Sequence, residues 1–413
     1  MASPSPRAQK LADFVAAIRA SELLPAADMD ALAAAAADPD ADAEALARDL
    51  VKRNLLTAYQ ARKLWKGQGA DLFLNQYVLM DKIGEGGMGE VFRATHKALG
   101  RDVALKVMRR ERMANPESVK RFRREIRAAA SLSHENVVLA YDADQSGEVH
   151  FFAMEYVDGP NLDAHVRTKG PLPVGEACEY ARQVALGLQH ASEKGLIHRD
   201  IKPSNLLLGR SGEVKISDLG LVLVDEPGAG SVSRITKDGL TVGTPDFLAP
   251  EQARNPRGAD TRADIYSLGC TLYYLLTGTV PHPTGTPTEK MLRHARAPFP
   301  VPDRNDLPAG LADVIAKLAA KKPDDRYQTP AEVAEALAPF AVKRPAPPTP
   351  RLMTAILADE VITEDTLPIP VPAVKDASTA TRFALPEVKP RPARKGCLGV
   401  VLLGLVAVVW LWR

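Results

Sequence analysis

"GLIHRDIKPSNLLL", residues 195–208, and "SGEVKISDLG", residues 211–220, decide how the chain is read. Asp200 follows His198 and Arg199; Lys202, Asn205 and Asp218 come after it in short order. Asp, Asn, Pro and Gly favour turns, so any one of these residues alone reads as a loop turn or a cap. As a set they put a carboxylate, a lysine and two further oxygen donors on adjacent loops between short apolar runs. That order and spacing is not a chance arrangement.

Upstream, "YVLMDKIGEGGMGEVFRATH" (77–96) packs four glycines into residues 83–92 between two strand-like stretches. A strand-to-strand hairpin suits a flap over phosphates, whereas a dinucleotide site needs a strand-to-helix transition. No long helical pattern follows directly. A plain glycine-rich hairpin remains the alternative for this segment alone. In "RDVALKVM" (101–108) side chains alternate faces, so Val103, Leu105 and Val107 point one way and Ala104 and Lys106 the other. Ala104 is placed to line a flat base and Lys106 to reach its phosphates. A cleft lysine needs a counter-charge. "PESVKRFRREIRAAASL" (116–132) sets Val119, Phe122, Ile126 and Ala129 on one helical stripe with Glu125 at its margin, so a Lys106–Glu125 pair is expected.

Phosphoryl transfer needs an oriented hydroxyl, cations over a triphosphate and oxygen ligands for Mg²⁺. Asp200 suits the hydroxyl, Lys202 the charge on the transferred group, and Asn205 with Asp218 the metal.

In these residues the chain resembles the protein kinases, of the bacterial eukaryotic-like (Hanks-type) serine/threonine kind. The matching pieces run in family order: "GEGGMGEV", "VALK", Glu125 in its helix, "HRDIKPSN", "DLG", "GTPDFLAPE", "ADIYSLG" and "DDRYQT". The resemblance implies an α+β, two-lobed fold with a β-rich N-lobe and a helical C-lobe. It implies ATP and Mg²⁺ as cofactors and protein substrates with Ser or Thr acceptors. The flap would comprise Ile83, Gly84, Glu85, Gly86, Gly87, Met88, Gly89, Glu90 and Val91, soft enough for its N–H groups to approach phosphates. Met154, Glu155 and Val157 would form the adenine hinge. Leu207 would be the floor opposite Val91 and Ala104. Asp264 would bond the catalytic-loop backbone, and Glu251 would pair with Arg326. Lys202 and Thr244 resemble the serine/threonine branch, with Thr244 bonding Asp200 and Lys202. Arg199 resembles kinases switched by phosphorylation of the loop carrying Ser231, Ser233, Thr236 and Thr241, Thr236 and Thr241 foremost. Self-association for trans-autophosphorylation would fit. Leu219 stands where the family most often has Phe, which bears on inhibitor selectivity more than on activity.

The rest of the 413 residues frames this segment. A 46% hydrophobic content allows a sizeable core, and a net charge of +2 argues against nucleic-acid binding. Cys178, Cys270 and Cys397 are too few and scattered for a disulfide framework or zinc site, which suits a reducing compartment. Residues 1–70 are alanine-rich, with Leu11, Phe14, Val15 and Ile18 at helical spacing, and read as a helical regulatory or docking region. The kinase-like segment spans 77–340. Residues 341–395 hold 10 prolines and read as a linker. Residues 396–412, "GCLGVVLLGLVAVVWLW", carry no charge and follow "KPRPARK". As a helix they span about 25 Å, so a C-terminal transmembrane helix with the kinase-like segment cytoplasmic is expected. The rival readings are a nucleotide-binding scaffold without turnover, a small-molecule phosphotransferase and a structural membrane adaptor. Against them stand the retained Lys106, Asp200 and Asp218, and the "GTPDFLAPE" segment.

Overall fold

Helix α1 (Pro6–Ser21) buries Leu11, Phe14, Val15 and Ile18, the four residues whose spacing predicts one apolar stripe. These coordinates are a computed structural model, which describes residues 6–25, 27–30, 32, 42–87, 89–218, 245–255 and 258–342. Helix α2 (Ala43–Lys52) starts at Asp42, whose carboxylate accepts the Ala45 N–H, so the polar break in the alanine run ends in a helix cap. Helix α3 (Ala58–Trp65) starts with a capping box: Thr57 Oγ1 accepts the Gln60 N–H, and Gln60 Oε1 accepts the Thr57 N–H. These helices close on a core of their own that includes Leu50, Leu64 and Leu72, with the Phe14 and Trp65 rings 5.6 Å apart.

The chain then builds an antiparallel sheet of six strands in the order β1-β2-β3-β4-β6-β5. The strands are β1 (Phe73–Leu74), β2 (Tyr77–Gly86), β3 (Gly89–His96), β4 (Arg101–Met108), β5 (Ala140–Ser146) and β6 (Val149–Glu155). β1 lies upstream of Tyr77, so the sheet takes its first strand from outside the kinase-like segment. The expected alternation holds on β4. Val103 and Leu105 join Leu79, Phe92, Ala94 and Phe151 on one face. Ala104 joins Phe122, Ile126, Phe152 and Met154 on the other, against helix α4 (Pro116–Ala129).

The C-lobe is helical: α5 (Leu162–Lys169), α6 (Val174–Glu193), α7 (Pro250–Arg254), α8 (Thr261–Thr277), α9 (Pro287–Arg296), α10 (Leu311–Leu318) and α11 (Pro330–Leu337). α6 and α8 are its centre, burying Tyr180, Leu188, Tyr266 and Leu272. Cys178 and Cys270 are buried free thiols on these two helices. A hairpin of β7 (Leu206–Leu208) and β8 (Val214–Ile216) lies on this core, directly after the segment 198–205 and directly before Ser217 and Asp218.

The two-lobed expectation is met; the transmembrane part of the expected fold is corrected. Among the described residues no helix is long and apolar enough to cross a membrane, and residues 396–412 lie outside them, as do the linker positions 343–395. Length and apolarity of a segment indicate what it can bury, not what buries it.

Candidate active site

The loop between α6 and β7 is held by bonds that its own sequence half conceals. His198 is 1% exposed. Its Nδ1 accepts the Asp200 N–H at 3.2 Å, which leaves Nε2–H to donate to Ser217 O at 2.8 Å. One imidazole thus ties the residue of the first motif to the strand end of the second. Ser217 completes the tie: its N–H and Oγ both donate to Asn205 O, at 2.9 and 3.0 Å. Arg199 and Asp218 have φ of 67° and 61°, a region that few residues other than glycine occupy. Asp264 on α8 holds the first of these, accepting the Arg199 and His198 N–H groups at 2.7 and 2.8 Å. Burial pushes the Asp264 carboxyl up, opposed by His198 and the two N–H donors. Gln252 of α7 donates to Arg199 O at 2.9 Å.

Asp200, Lys202 and Asn205 meet. Lys202 Nζ donates to Asp200 Oδ2 at 2.8 Å, and Asn205 Nδ2 donates to the same oxygen at 3.0 Å and to Asp200 O at 2.8 Å. Both side-chain donors take one carboxylate oxygen, which leaves Oδ1 as its second acceptor. Lys106 Nζ donates to Asp218 Oδ1 at 2.6 Å, across the cleft between the lobes. Burial pushes the Asp218 carboxyl up, but Lys106 beside it outweighs that, with help from His198 and Lys202, and holds it below the usual carboxylate range. The Glu125 backbone lies in α4, and its side chain is outside the described residues, so the expected Lys106–Glu125 pair is too. Thr244, Met88, Leu219 and the loop with Ser231, Ser233, Thr236 and Thr241 also lie outside them.

Of the residues expected to line a base, Ala104 on β4 and Met154 on β6 are register partners. Ile83 and Val91 pack against the same cluster. Leu207 is half-buried on β7 and bridges to Asn161. Beyond Met154, the Glu155 N–H donates to Leu139 O at 2.8 Å, its Oε2 accepts the Leu139 N–H at 3.2 Å, and its Oε1 pairs with Lys215 at 3.1 Å. The carboxylate therefore braces the C-terminal end of β6 against Leu139 and Lys215, a role that sequence reading did not assign. In the flap, Gly86 faces Gly89 across the β2–β3 hairpin, Glu85 pairs with Lys82 and Arg109, and Glu90 pairs with Lys82. A Cβ on Gly86 or Gly87 would meet open space, whereas one on Gly89 would come within 2.0 Å of Val107 O. The glycines are thus of two kinds: Gly89 serves strand packing, and Gly86 and Gly87 leave room above the hairpin. At the base of the C-lobe, Arg326 donates to both Glu251 oxygens, at 2.6 and 2.9 Å, as expected.

Missed in sequence were His198 and Ser217 as loop anchors, Gln252, and the Glu155–Lys215 pair. The HRD spacing was the available signal for His198; nothing local marks the others, whose partners come from distant segments.

Lys106 on Asp218, Asp200 held by Lys202 and Asn205, and a glycine hairpin on the same sheet as Lys106 are an arrangement that can handle a phosphate. The protein kinase domain profile matches residues 77–337, and the chain belongs to the protein kinase family. It is 38% identical over 259 residues to the serine/threonine-protein kinase PknB of Mycobacterium leprae, which covers 61% of this chain and 41% of that protein. It is 35% identical over 254 residues to the serine/threonine-protein kinase PrkC of Bacillus subtilis, covering 61% of this chain and 38% of that protein. The chain thus spans about two fifths of the length of the curated relatives it matches. A crystal structure of a double mutant of the Mycobacterium tuberculosis PknI kinase domain superposes with a TM-score of 0.52 at 27% identity, covering 66% of this chain and 98% of that domain.

Proposed function

We propose that this chain is a serine/threonine protein kinase that transfers the γ-phosphoryl group of ATP to Ser or Thr of proteins, itself included, in signalling. The observation that carries the reading is the aspartate whose Oδ2 is taken by Lys202 and Asn205 while Oδ1 has no donor among the described residues. Asp200 Oδ1 accepts the proton of the acceptor hydroxyl as its oxygen bonds to the γ-phosphorus. The bond from that phosphorus to the β,γ-bridging oxygen breaks, and ADP leaves. Lys202 stabilises the charge on the phosphoryl oxygens, and Lys106 orients the phosphates. Ala104, Met154, Leu207 and the hinge at Glu155 and Val157 hold the base, under the flap from Ile83 to Val91. Glu125 and Thr244 take the supporting roles that the family resemblance implies.

The residues fit Mg²⁺. With Nδ2 committed to Asp200, Asn205 keeps Oδ1, and Asp218 keeps Oδ2 beside its Lys106 bond. Two hard oxygens without a third acidic or histidine ligand among the described residues suit an ion that takes its other ligands from phosphates and water. When bound, the ion neutralises charge on the phosphates. The serine/threonine assignment is supported by the names of the relatives and by Lys202 after Asp200. Arg199 Nε is buried without a partner among the described residues, which suits a phosphate acceptor on the loop that carries Thr236 and Thr241. Self-association would serve transfer between copies. A membrane tether is not part of this reading.

The test is phosphate transfer from labelled ATP by the full chain, with the sites mapped, beside Asp200→Asn. Transfer by wild type that falls at least about a hundredfold in the variant supports the reading. Nucleotide binding with no transfer by wild type overturns it in favour of a scaffold, and equal transfer in both overturns the role given to Asp200.

A further inference from the structure

Strand β2 carries the flap, and its pairing with β3 is interrupted. Leu79 faces Ala94 and Asp81 faces Arg93, so Met80 is an inserted residue. β1 pairs with β2 only at Tyr77 and Val78. Past Val78 that edge of β2 has no neighbouring strand among the described residues. Helix α3 takes the edge instead. Gln60 Nε2 donates to Leu79 O at 3.0 Å, and Thr57 Oγ1 donates to Met80 O. Gln60 is 3% exposed, so its amide depends on these partners. The same amide closes the capping box of α3, its Oε1 accepting the Thr57 N–H at 3.0 Å. Tyr59 lies between the two residues in sequence and sets its ring 5.6 Å from that of Phe92 on β3. An isolated helix needs only the cap; the second half of the Gln60 amide is spent on the strand.

We infer that Gln60 and Thr57 are positioning residues for the nucleotide flap: by binding the carbonyls at the Met80 bulge they fix the path of β2 into Ile83–Gly86, and the N-terminal helices thereby set nucleotide affinity. A bulge is where a strand bends and where its pairing is weakest. Ile83, three residues beyond Met80, is a second inserted residue, between Lys82 paired with Phe92 and Gly84 paired with Val91, so the path set at Met80 reaches the glycines through the two register pairs Asp81–Arg93 and Lys82–Phe92. Residues 57–60 lie outside the matched segment 77–337, and this role therefore belongs to the chain's own N-terminal extension. The inference rests on the ATP-dependent reading of the cleft.

The experiment uses the full chain. Gln60→Glu keeps an oxygen to cap α3 but sets a carboxylate oxygen against Leu79 O. Thr57→Val removes the hydroxyl, and Thr57→Ser restores it. Three quantities are read: the Kd of a fluorescent ADP analogue, KM for ATP against KM for a protein acceptor, and amide exchange over residues 77–92. The expected result is a rise of about three- to tenfold in nucleotide Kd and ATP KM for Gln60→Glu and Thr57→Val. Acceptor KM holds, exchange over 77–92 quickens, and Thr57→Ser behaves as wild type. A nucleotide Kd within about twofold of wild type in both variants overturns the inference, as does an equal rise in acceptor KM. If Gln60→Glu unfolds α3, shown by lost exchange protection of residues 58–65, an unchanged Kd overturns it all the more directly. Wild type that binds the analogue but transfers no phosphate would sink the kinase reading and leave the Kd comparison standing.

Discussion

Asp264 Oδ1 accepts the N–H of Arg199 at 2.7 Å, from a helix that begins 62 residues further along the chain, and it does so where Arg199 holds a φ of 67°. A carboxylate on a C-lobe core helix thus bears the strained turn of the catalytic loop. Replacing Asp264 by Ala removes two charge-assisted bonds and leaves two buried N–H donors. A loss of about 3 kcal/mol in urea-denaturation stability is expected, with kcat falling further than the remaining folded fraction explains. Asn at this position keeps one acceptor and is expected to lose less on both measures.

Lys106 and Asp218 bind each other, so changing either exposes the other. For Lys106→Met, transfer should fall by at least about a hundredfold at saturating ATP. The Asp218 carboxyl should rise toward or above the ordinary range, because burial then acts without the lysine. Carboxyl titration by ¹³C NMR reads this directly. In wild type the sign follows from a depressed folded value. The pair's contribution to stability is full above the unfolded value of 3.8 and is lost as pH falls through the lower folded one.

Gly89 and its neighbours should separate stability from binding. Gly89→Ala puts a methyl into Val107 O, which is backbone and cannot swing away, so β3 must shift from β4. A loss of about 1–3 kcal/mol is expected by urea denaturation. Ala at Gly86 or Gly87 meets open space in the protein and should leave Tm nearly unchanged. The reading of the flap has both raise KM for ATP, because the methyl stands where phosphates approach.

His294 is 1% exposed and packs against His282, the ring centroids 4.9 Å apart, with Tyr266 Oη 2.8 Å from its Nδ1. Burial first, then His282 and Lys321, pushes its pKa down to about 3 from 6.5. The folded state holds it neutral, so unfolding takes up a proton below 6.5. Its contribution is therefore full above 6.5 and is lost as pH falls toward 3. His294→Gln should flatten the decline of stability with acid by up to about 1.4 kcal/mol per pH unit in that window. Urea midpoints at several pH values, set against wild type, measure the difference.

What could be read in one dimension was chemistry that depends on residue type and local period. Leu11, Phe14, Val15 and Ile18 advertise a helix stripe because 3.6 residues make a turn, and Ala104 and Lys106 share a face because a strand alternates. Asp200, Lys202 and Asn205 sit within six residues, so their spacing already implied their meeting. Asp264 and the Glu251–Arg326 pair were legible through the family's order of motifs. The apolar run at 396–412 shows the limit, since apolarity alone named a membrane span that the described fold does not contain.

The sequence by itself determined the family, the two lobes and the set of groups available to handle a phosphate, because those follow from residue types at short separations. Only the tertiary structure decided that Lys106 meets Asp218, 112 residues away, that His198 bonds Ser217, and that Gln60 reaches past its own helix to Leu79. Such contacts depend on distance through space, on burial and on a left-handed turn at Arg199 and Asp218. None of these leaves a periodic mark along the chain, because each is set by how separate elements pack.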